Sequence, residues 1–347
     1  GRYIAGPEIA ELEEKLQEKT GAYKVIACAS GTDALIIPMM GLGLSAQDAV
    51  FIPAFTYNAT ANAVLIAGAT PVFVDVDPDT FNICPVDLQA KIDAVKADGK
   101  LNPAVVCTVD LFGLPADYPA INKIAATERL KVFADAAQSF GGKQDDTWVG
   151  NLAPVSGTSF FPGKALGAYG DAGATFVQSE DMAEVCESIR WHGTDAQRRE
   201  SVRVGMNGRL DTFQAAVLLE KLEIFYEELD ARKNIAAIYA ENLGDAARAQ
   251  GGYARTENGF GYYTVRVENR DAVREAMGTA GVPTAVYYQQ PLHQMQAFAK
   301  YAPQGGLPNC EKLADQVLSL PMHPYLSEDQ ALFVCEVLQA AVKEKAK

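Results

Sequence analysis

The sequence predicts an α/β protein in two unequal parts: a large domain with a mainly parallel sheet flanked by helices, then a small α+β domain. Three observations carry this. Apolar runs of strand length alternate with segments of helical period through the first half of the chain. Small residues and glycines gather where several of those runs end. After Asp211 a long proline-free stretch, residues 212–243, leads into a second set of short elements.

In chain order, residues 7–20 place Ile9, Leu12 and Leu16 on one helical face and stop at Gly21. Strands are expected at residues 25–29, 50–52, 71–76, 104–109 and 131–133, and helices at 32–41, 58–67, 86–97 and 117–126. A β-rich run at 158–161 breaks at Pro162 and Gly163. Residues 212–243 carry apolar side chains at helical spacing and form one or two helices. Strands at 262–267 and 284–288 and helices at 271–280, 311–318 and 329–345 complete the chain. The large domain is placed at residues 1–225 and the small one at 226–347.

Composition narrows the function classes. A chain of 347 residues with a formal net charge of −14 is a poor partner for nucleic acid or an anionic membrane. A single pocket can still be locally positive. No apolar run is long enough to span a bilayer, and the expected location is the cytoplasm. The six cysteines are scattered without a C-x-x-C pair, so neither a zinc site nor a disulfide framework is expected. The three histidines, His192, His293 and His323, have no metal-ligand spacing.

In such a sheet, ligands bind where strands end and helices begin. Residues 29–35, ASGTDAL, turn from strand to helix through small residues, and the exposed amides there suit a phosphate; an ordinary N-cap by Ser30 or Thr32 explains the same residues. Tyr57, just before a helix, offers either a ring to stack on a heteroaromatic cofactor or a core side chain. Asp135 ends an apolar strand, where it can pair with a protonated ring nitrogen or cap a helix. Gln138 follows it. Lys164 sits in TSFFPGKALGAYGD, residues 158–171, on a glycine-rich turn after a strand. A desolvated lysine there can form a Schiff base with an aldehyde cofactor. Residues 205–211, GMNGRLD, present an amide and a guanidinium on a loop, for an anion or for solvent. Together these are the parts of a pyridoxal 5'-phosphate site: phosphate cup, stacking ring, ring-nitrogen acid and lysine.

The ordered motifs GRYIAGPE at residue 1, SGTDAL at 30, PAFTY at 53, GATPVFVD at 68, DAAQ at 135, SFFPGK at 159, NGRLD at 207 and LSLPMHPY at 318 resemble the DegT/StrS family of fold-type-I pyridoxal phosphate enzymes, the sugar-nucleotide aminotransferases. The resemblance runs nearly end to end. It implies that Lys164 holds the cofactor and shuttles a proton, that Asp135 meets the pyridine nitrogen, and that Gln138 meets the phenolic oxygen. It places Tyr57 on the ring and Gly31, Thr32 and Ser159 around the phosphate. It assigns Asn207 to the phosphate of a neighbouring subunit's cofactor, and hence implies a homodimer with shared sites. The implied reaction moves an amino group from glutamate to a nucleotide-linked keto-sugar, with pyridoxamine phosphate as the aminated form of the cofactor. Gly208 and Ala172 depart from the family's usual serine and glycine. The family's chains usually begin before the G-x-Y-I motif, so residues preceding Gly1 are expected.

Residues 190–199, 202–207, 222–228 and 280–288 look most like the subgroup acting on UDP-2-acetamido-2-deoxy-3-oxo-glucuronate, which makes a 3-amino sugar for surface polysaccharide. A carboxylated sugar suits a forked cation. Arg203 and Arg209 are the candidates, and both can equally pair with the chain's own acids. His293 and His323 are expected in the sugar pocket, and His192 is read as structural. The alternatives are a C4 aminotransferase for a dTDP-, UDP- or GDP-4-keto-6-deoxy sugar and, from another class, a non-catalytic cofactor-binding regulator. Intact Lys164, Asp135 and Ser159 weigh against the last.

Overall fold

The structure, a computed structural model, describes residues 1–345. Helix α1 (Pro7–Thr20) buries Ile9, Leu12 and Leu16 and ends where Gly21 turns left-handed at φ 74°. Strands and helices then alternate: β1 (Lys24–Cys28), α2 (Gly31–Gly41), β2 (Asp48–Pro53), α3 (Ala59–Ile66), β3 (Thr70–Val74), α4 (Pro85–Asp98), β4 (Asn102–Val109), α5 (Tyr118–Glu128) and β5 (Lys131–Asp135). A small hairpin, β6 (Lys143–Gln144) and β7 (Thr147–Trp148), precedes β8 (Val155–Ser159), β9 (Gly173–Val177) and α6 (Glu180–Arg190). Helix α7 (Thr212–Asn242) leads to β10 (Arg248–Ala249), β11 (Thr256–Glu257), β12 (Tyr263–Arg266), α8 (Arg270–Thr279), α9 (Pro308–Gln316), β13 (Val317–Leu320) and α10 (Glu328–Lys345).

Seven strands form the main sheet in the order β1-β9-β8-β5-β4-β2-β3. The run from β8 to β3 is parallel, and β9 pairs antiparallel with both β1 and β8. The pleat divides each strand between two cores. Val50 and Ile52 pack with α2 and α3 on one face, while Ala49 and Phe51 pack with α4 and α5 on the other. Each such side chain, fully buried, contributes about 1.5–3 kcal/mol. The strand ends from Cys28, Pro53, Val109, Asp135 and Ser159 therefore open on one edge of the sheet, where the site lies.

Helix α7 is one unbroken helix of 31 residues. Its first half buries Leu218, Leu222 and Phe225 against α1 and the main sheet, and its second half buries Ile235 and Tyr239 in the small core around β12 and β13. Residues 225 and 226, where the sequence places the division, lie inside it.

Several elements differ from the expectation. Residues 284–288 are not a strand: a single bridge joins Ala285 to Ser319, and Tyr287 and Tyr288 turn towards the sheet edge. The helix expected at 311–318 is α9, which starts at Pro308 because proline is favoured in a first turn, and residues 317–318 begin β13. The run at 158–161 is the end of β8, which begins at Val155. Strand β9 and helix α6 were not anticipated. All five residues of β9 are buried, so no two-residue alternation marks it.

Candidate active site

The sheet edge carries a cavity of about 540 Å³, lined by residues that include Gly31, Thr32, Tyr57, Asp135, Gln138, Ser159 and Lys164. The fold thus gathers seven of the expected residues from four separate segments.

Lys164 stands on a loop closed on itself: Phe160 N donates to Ala172 O at 2.8 Å, Lys164 N to Phe161 O at 2.8 Å and Ala168 N to Phe160 O at 2.8 Å. A Cβ on Gly167 would lie 2.6 Å from Pro162 O, so glycine is required there. Helix α7 clamps the loop from outside, with Lys221 Nζ donating to Gly167 O at 2.7 Å and Gln214 Oε1 accepting from Tyr169 N at 2.9 Å. Desolvation pulls the Lys164 amine down to about 8, against the Asp135 carboxylate, which pulls it up. The Nζ atom sits 5.4 Å from the Tyr262 ring centroid.

Asp135 ends β5 and is buried. Oδ2 accepts from Thr60 Oγ1 at 2.7 Å and Oδ1 from Ala137 N at 3.2 Å. Burial raises this carboxyl, while the two bonds and Lys164 lower it. Gln138 Oε1 accepts from Phe112 N at 2.8 Å, and its Nε2 donates to Tyr288 Oη at 2.9 Å.

At the start of α2, Ser30 Oγ accepts from Asp33 N at 3.1 Å, so Ser30 is an N-cap beside the cup rather than instead of it. The first-turn amides of Gly31 and Thr32 have no acceptor within the helix. A Cβ on Gly31 would lie 2.5 Å from Ser159 Cβ, so only glycine lets this turn approach β8. Tyr57 is half-exposed, with its ring centroid 6.1 Å from that of Tyr288.

The other expected residues lie outside this lining. Asn207 and Arg203 are exposed, with no side-chain partner among the described residues. Arg203 borders a second cavity of about 430 Å³ together with Arg190, Trp191 and Arg198. The guanidinium of Arg209 lies 4.7 Å from the Trp191 ring centroid, and that of Arg198 lies 3.5 Å from it. His293 is buried with Nε2 3.0 Å from Glu311 Oε1, His323 is exposed, and His192 is an exposed residue with φ 62°. Thr60, Tyr262, Tyr287 and Tyr288 belong to the site and were missed. The tyrosines come from residues 262–288, and nothing in their local sequence marks their approach to the sheet edge.

Among the described residues no three His, Cys, Asp or Glu side chains could hold a metal ion, and no helix is long and apolar enough to cross a membrane.

The model of the DegT/DnrJ/EryC1/StrS aminotransferase family matches residues 1–339. The UDP-2-acetamido-2-deoxy-3-oxo-D-glucuronate aminotransferase of Pseudomonas aeruginosa is 44% identical over 97% of this chain and 92% of its own length. A pleiotropic regulatory protein of Geobacillus stearothermophilus is 38% identical over 96% of this chain and 89% of its own. The crystal structure of a DegT DnrJ EryC1 StrS aminotransferase from Brucella abortus superposes with a TM-score of 0.96 at 46% identity, covering 98% of this chain and 91% of that one.

Proposed function

Because this chain belongs to the DegT/DnrJ/EryC1/StrS aminotransferase family, we propose that it transfers an amino group from glutamate to UDP-2-acetamido-2-deoxy-3-oxo-glucuronate, giving a 3-amino sugar for surface polysaccharide. The observation that carries the reading is the presence of Lys164 and Asp135 in the lining of one cavity, in a chain 44% identical to an aminotransferase for that sugar.

The residues fit pyridoxal phosphate. The glycine-only approach at Gly31 and the open amides of α2 form a cup for a phosphate with Thr32 and Ser159. A buried acid and a lysine with a lowered pKa stand together in the same cavity. When bound, the cofactor supplies an electron sink for the carbanion left by proton removal. Lys164 would hold the aldehyde through its amine, and as a free amine it would move a proton between the substrate carbon and the cofactor's C4′ atom. A positioned base of this kind contributes about 10²–10⁴-fold. Asp135, fixed by Thr60 and Ala137, keeps the ring nitrogen protonated. Gln138 would offer its amide nitrogen to the phenolic oxygen, and Tyr57 would cover the ring. Asn207 reaches the phosphate of the partner's site in a cytoplasmic homodimer, and Arg203 and Arg209 receive the sugar carboxylate there.

The test is a single turnover on protein loaded in the pyridoxamine form, mixed separately with the 3-oxo-glucuronate and with a 4-keto-6-deoxy sugar nucleotide. Return of the pyridoxal absorbance with the first alone is expected. Return with the second alone moves the chain to a C4 aminotransferase. The likeness to a regulatory protein gives a second reading, a cofactor-binding regulator. A yellow protein that glutamate fails to bleach would favour it.

A further inference from the structure

Asp110, the residue after β4, is 1% exposed and takes no part in the chemistry above, yet three donors converge on its carboxylate. Oδ1 accepts from Ala116 N at 2.9 Å and from Tyr118 Oη at 2.9 Å, and Oδ2 accepts from Ser139 Oγ at 3.0 Å. Its own amide donates to Asp135 O at 3.0 Å. Burial pushes the carboxyl up to about 7, against the pull of those three donors, and Asp135, Tyr118 and Cys107 are the other titratable groups beside it.

These bonds tie together two segments that between them grip Gln138. Ser139 is its chain neighbour. Phe112, two residues beyond Asp110, gives the amide that holds Gln138 Oε1. Phe112 adopts φ 61° and Gly113 φ 112°, so the turn after Asp110 runs through left-handed backbone, strained for a phenylalanine. It keeps that shape because Asp110 holds Ala116 and Tyr118 on its far side and Asn82 Oδ1 accepts from Leu111 N at 2.9 Å. With Oε1 occupied, the Gln138 amide nitrogen has one direction left, towards Tyr288 and the cavity.

We propose that Asp110 is a positioning residue that locks the Gln138 amide towards the cofactor's phenolic oxygen by pinning the 111–118 turn to the 136–139 turn. The proposal rests on the cofactor reading above. Replacing one carboxylate oxygen loosens the 111–118 turn and with it the Phe112 amide that fixes Gln138 Oε1, and the phenolic oxygen loses part of a donor whose effect is read in the cofactor's titration.

The experiment follows the absorbance of the bound cofactor through a pH titration at saturating pyridoxal phosphate, in wild type, D110N, Q138L and the double variant. D110N is expected to move the titration midpoint in the same direction as Q138L, by about one pH unit. The double variant should move it no further than Q138L alone. An unchanged midpoint in D110N, with or without a lower melting temperature, or shifts that add in the double variant, would overturn the proposal. Should D110N not fold, S139A replaces it, with the same shift expected and an unmoved midpoint overturning the idea. A wild-type chain that shows no cofactor band overturns the cofactor reading and this proposal with it, an outcome distinct from a band that titrates alike in all variants.

Discussion

At and beneath the cavity, Asp135, Gln138 and Asp110 are partnered from within the chain, whereas the polar side chains along residues 202–209 are not. Asp135 is held by Thr60 and Ala137, Gln138 by Phe112 and Tyr288, and Asp110 by three donors. In the second region Arg203 and Asn207 are exposed, Arg209 rests on Trp191 with its buried Nε unpartnered, and Val202 and Val204 face outwards at 54% and 81% exposure. A floor built this way is preorganised and costs nothing to arrange when a ligand arrives. Cations without a carboxylate partner and outward apolar side chains suit an anion or a second chain, which is the physical ground for the partner subunit and anionic substrate proposed above.

The comparison breaks first at Lys164. Lys164→Ala is expected to abolish both the absorbance of covalently held cofactor and turnover, and transamination retained by this variant would sink the central claim. Asp135→Asn keeps the shape of the floor and removes the charge proposed to face the ring nitrogen, so kcat should fall about 10²–10⁴-fold with little change in substrate KM. A rise in KM with kcat unchanged would take Asp135 out of the chemical step and leave it a binding role.

The outer region is sharpened by mixing subunits. Asn207→Ala and Lys164→Ala proteins, each defective, should recover activity when unfolded and refolded together, because one site of the mixed dimer then has its own lysine and its partner's asparagine. No recovery in a verified mixed dimer would confine each site to one chain. Arg203→Leu and Arg209→Leu should each weaken turnover of the carboxylated sugar about 10–10²-fold more than that of the same sugar without its carboxylate. Equal losses on both substrates would remove the carboxylate role.

The smallest effect is on stability. Lys164 has a folded pKa of about 8, below its ordinary value of 10.5. The unfolded chain therefore holds the extra proton between about pH 8 and 10.5, so this group costs stability below that window and the cost fades as pH rises through it. Cofactor-free Lys164→Met should melt higher than the cofactor-free wild type at pH 7, by the equivalent of about 1–3 kcal/mol, and the gap should close towards pH 10. A gap that stays constant with pH would assign it to packing alone.

Local sequence made much of this legible. The alternation of strands and helices, the strand-end placement of Asp135, the glycine turn around Lys164 and the small residues at 30–32 are all short-range signals, written in period and in backbone need. The same reasoning went astray where burial erased the pattern, as in β9, and where long-range packing overrode it, as at residues 284–288. It gave no hint of Asp110, an ordinary acid in sequence whose donors come from positions 116, 118 and 139.

What the amino-acid order determined alone is therefore the set of elements and the chemistry of the groups at their ends, because both depend on neighbours within a few residues. Only the tertiary structure decided which groups meet. It swung Tyr262, Tyr287 and Tyr288 of the C-terminal third over the sheet edge, turned Gln138 by a bond from Phe112, and left Arg203, Asn207 and Arg209 outside the cavity. Those outcomes hang on contacts between residues far apart in the chain, which no local period records.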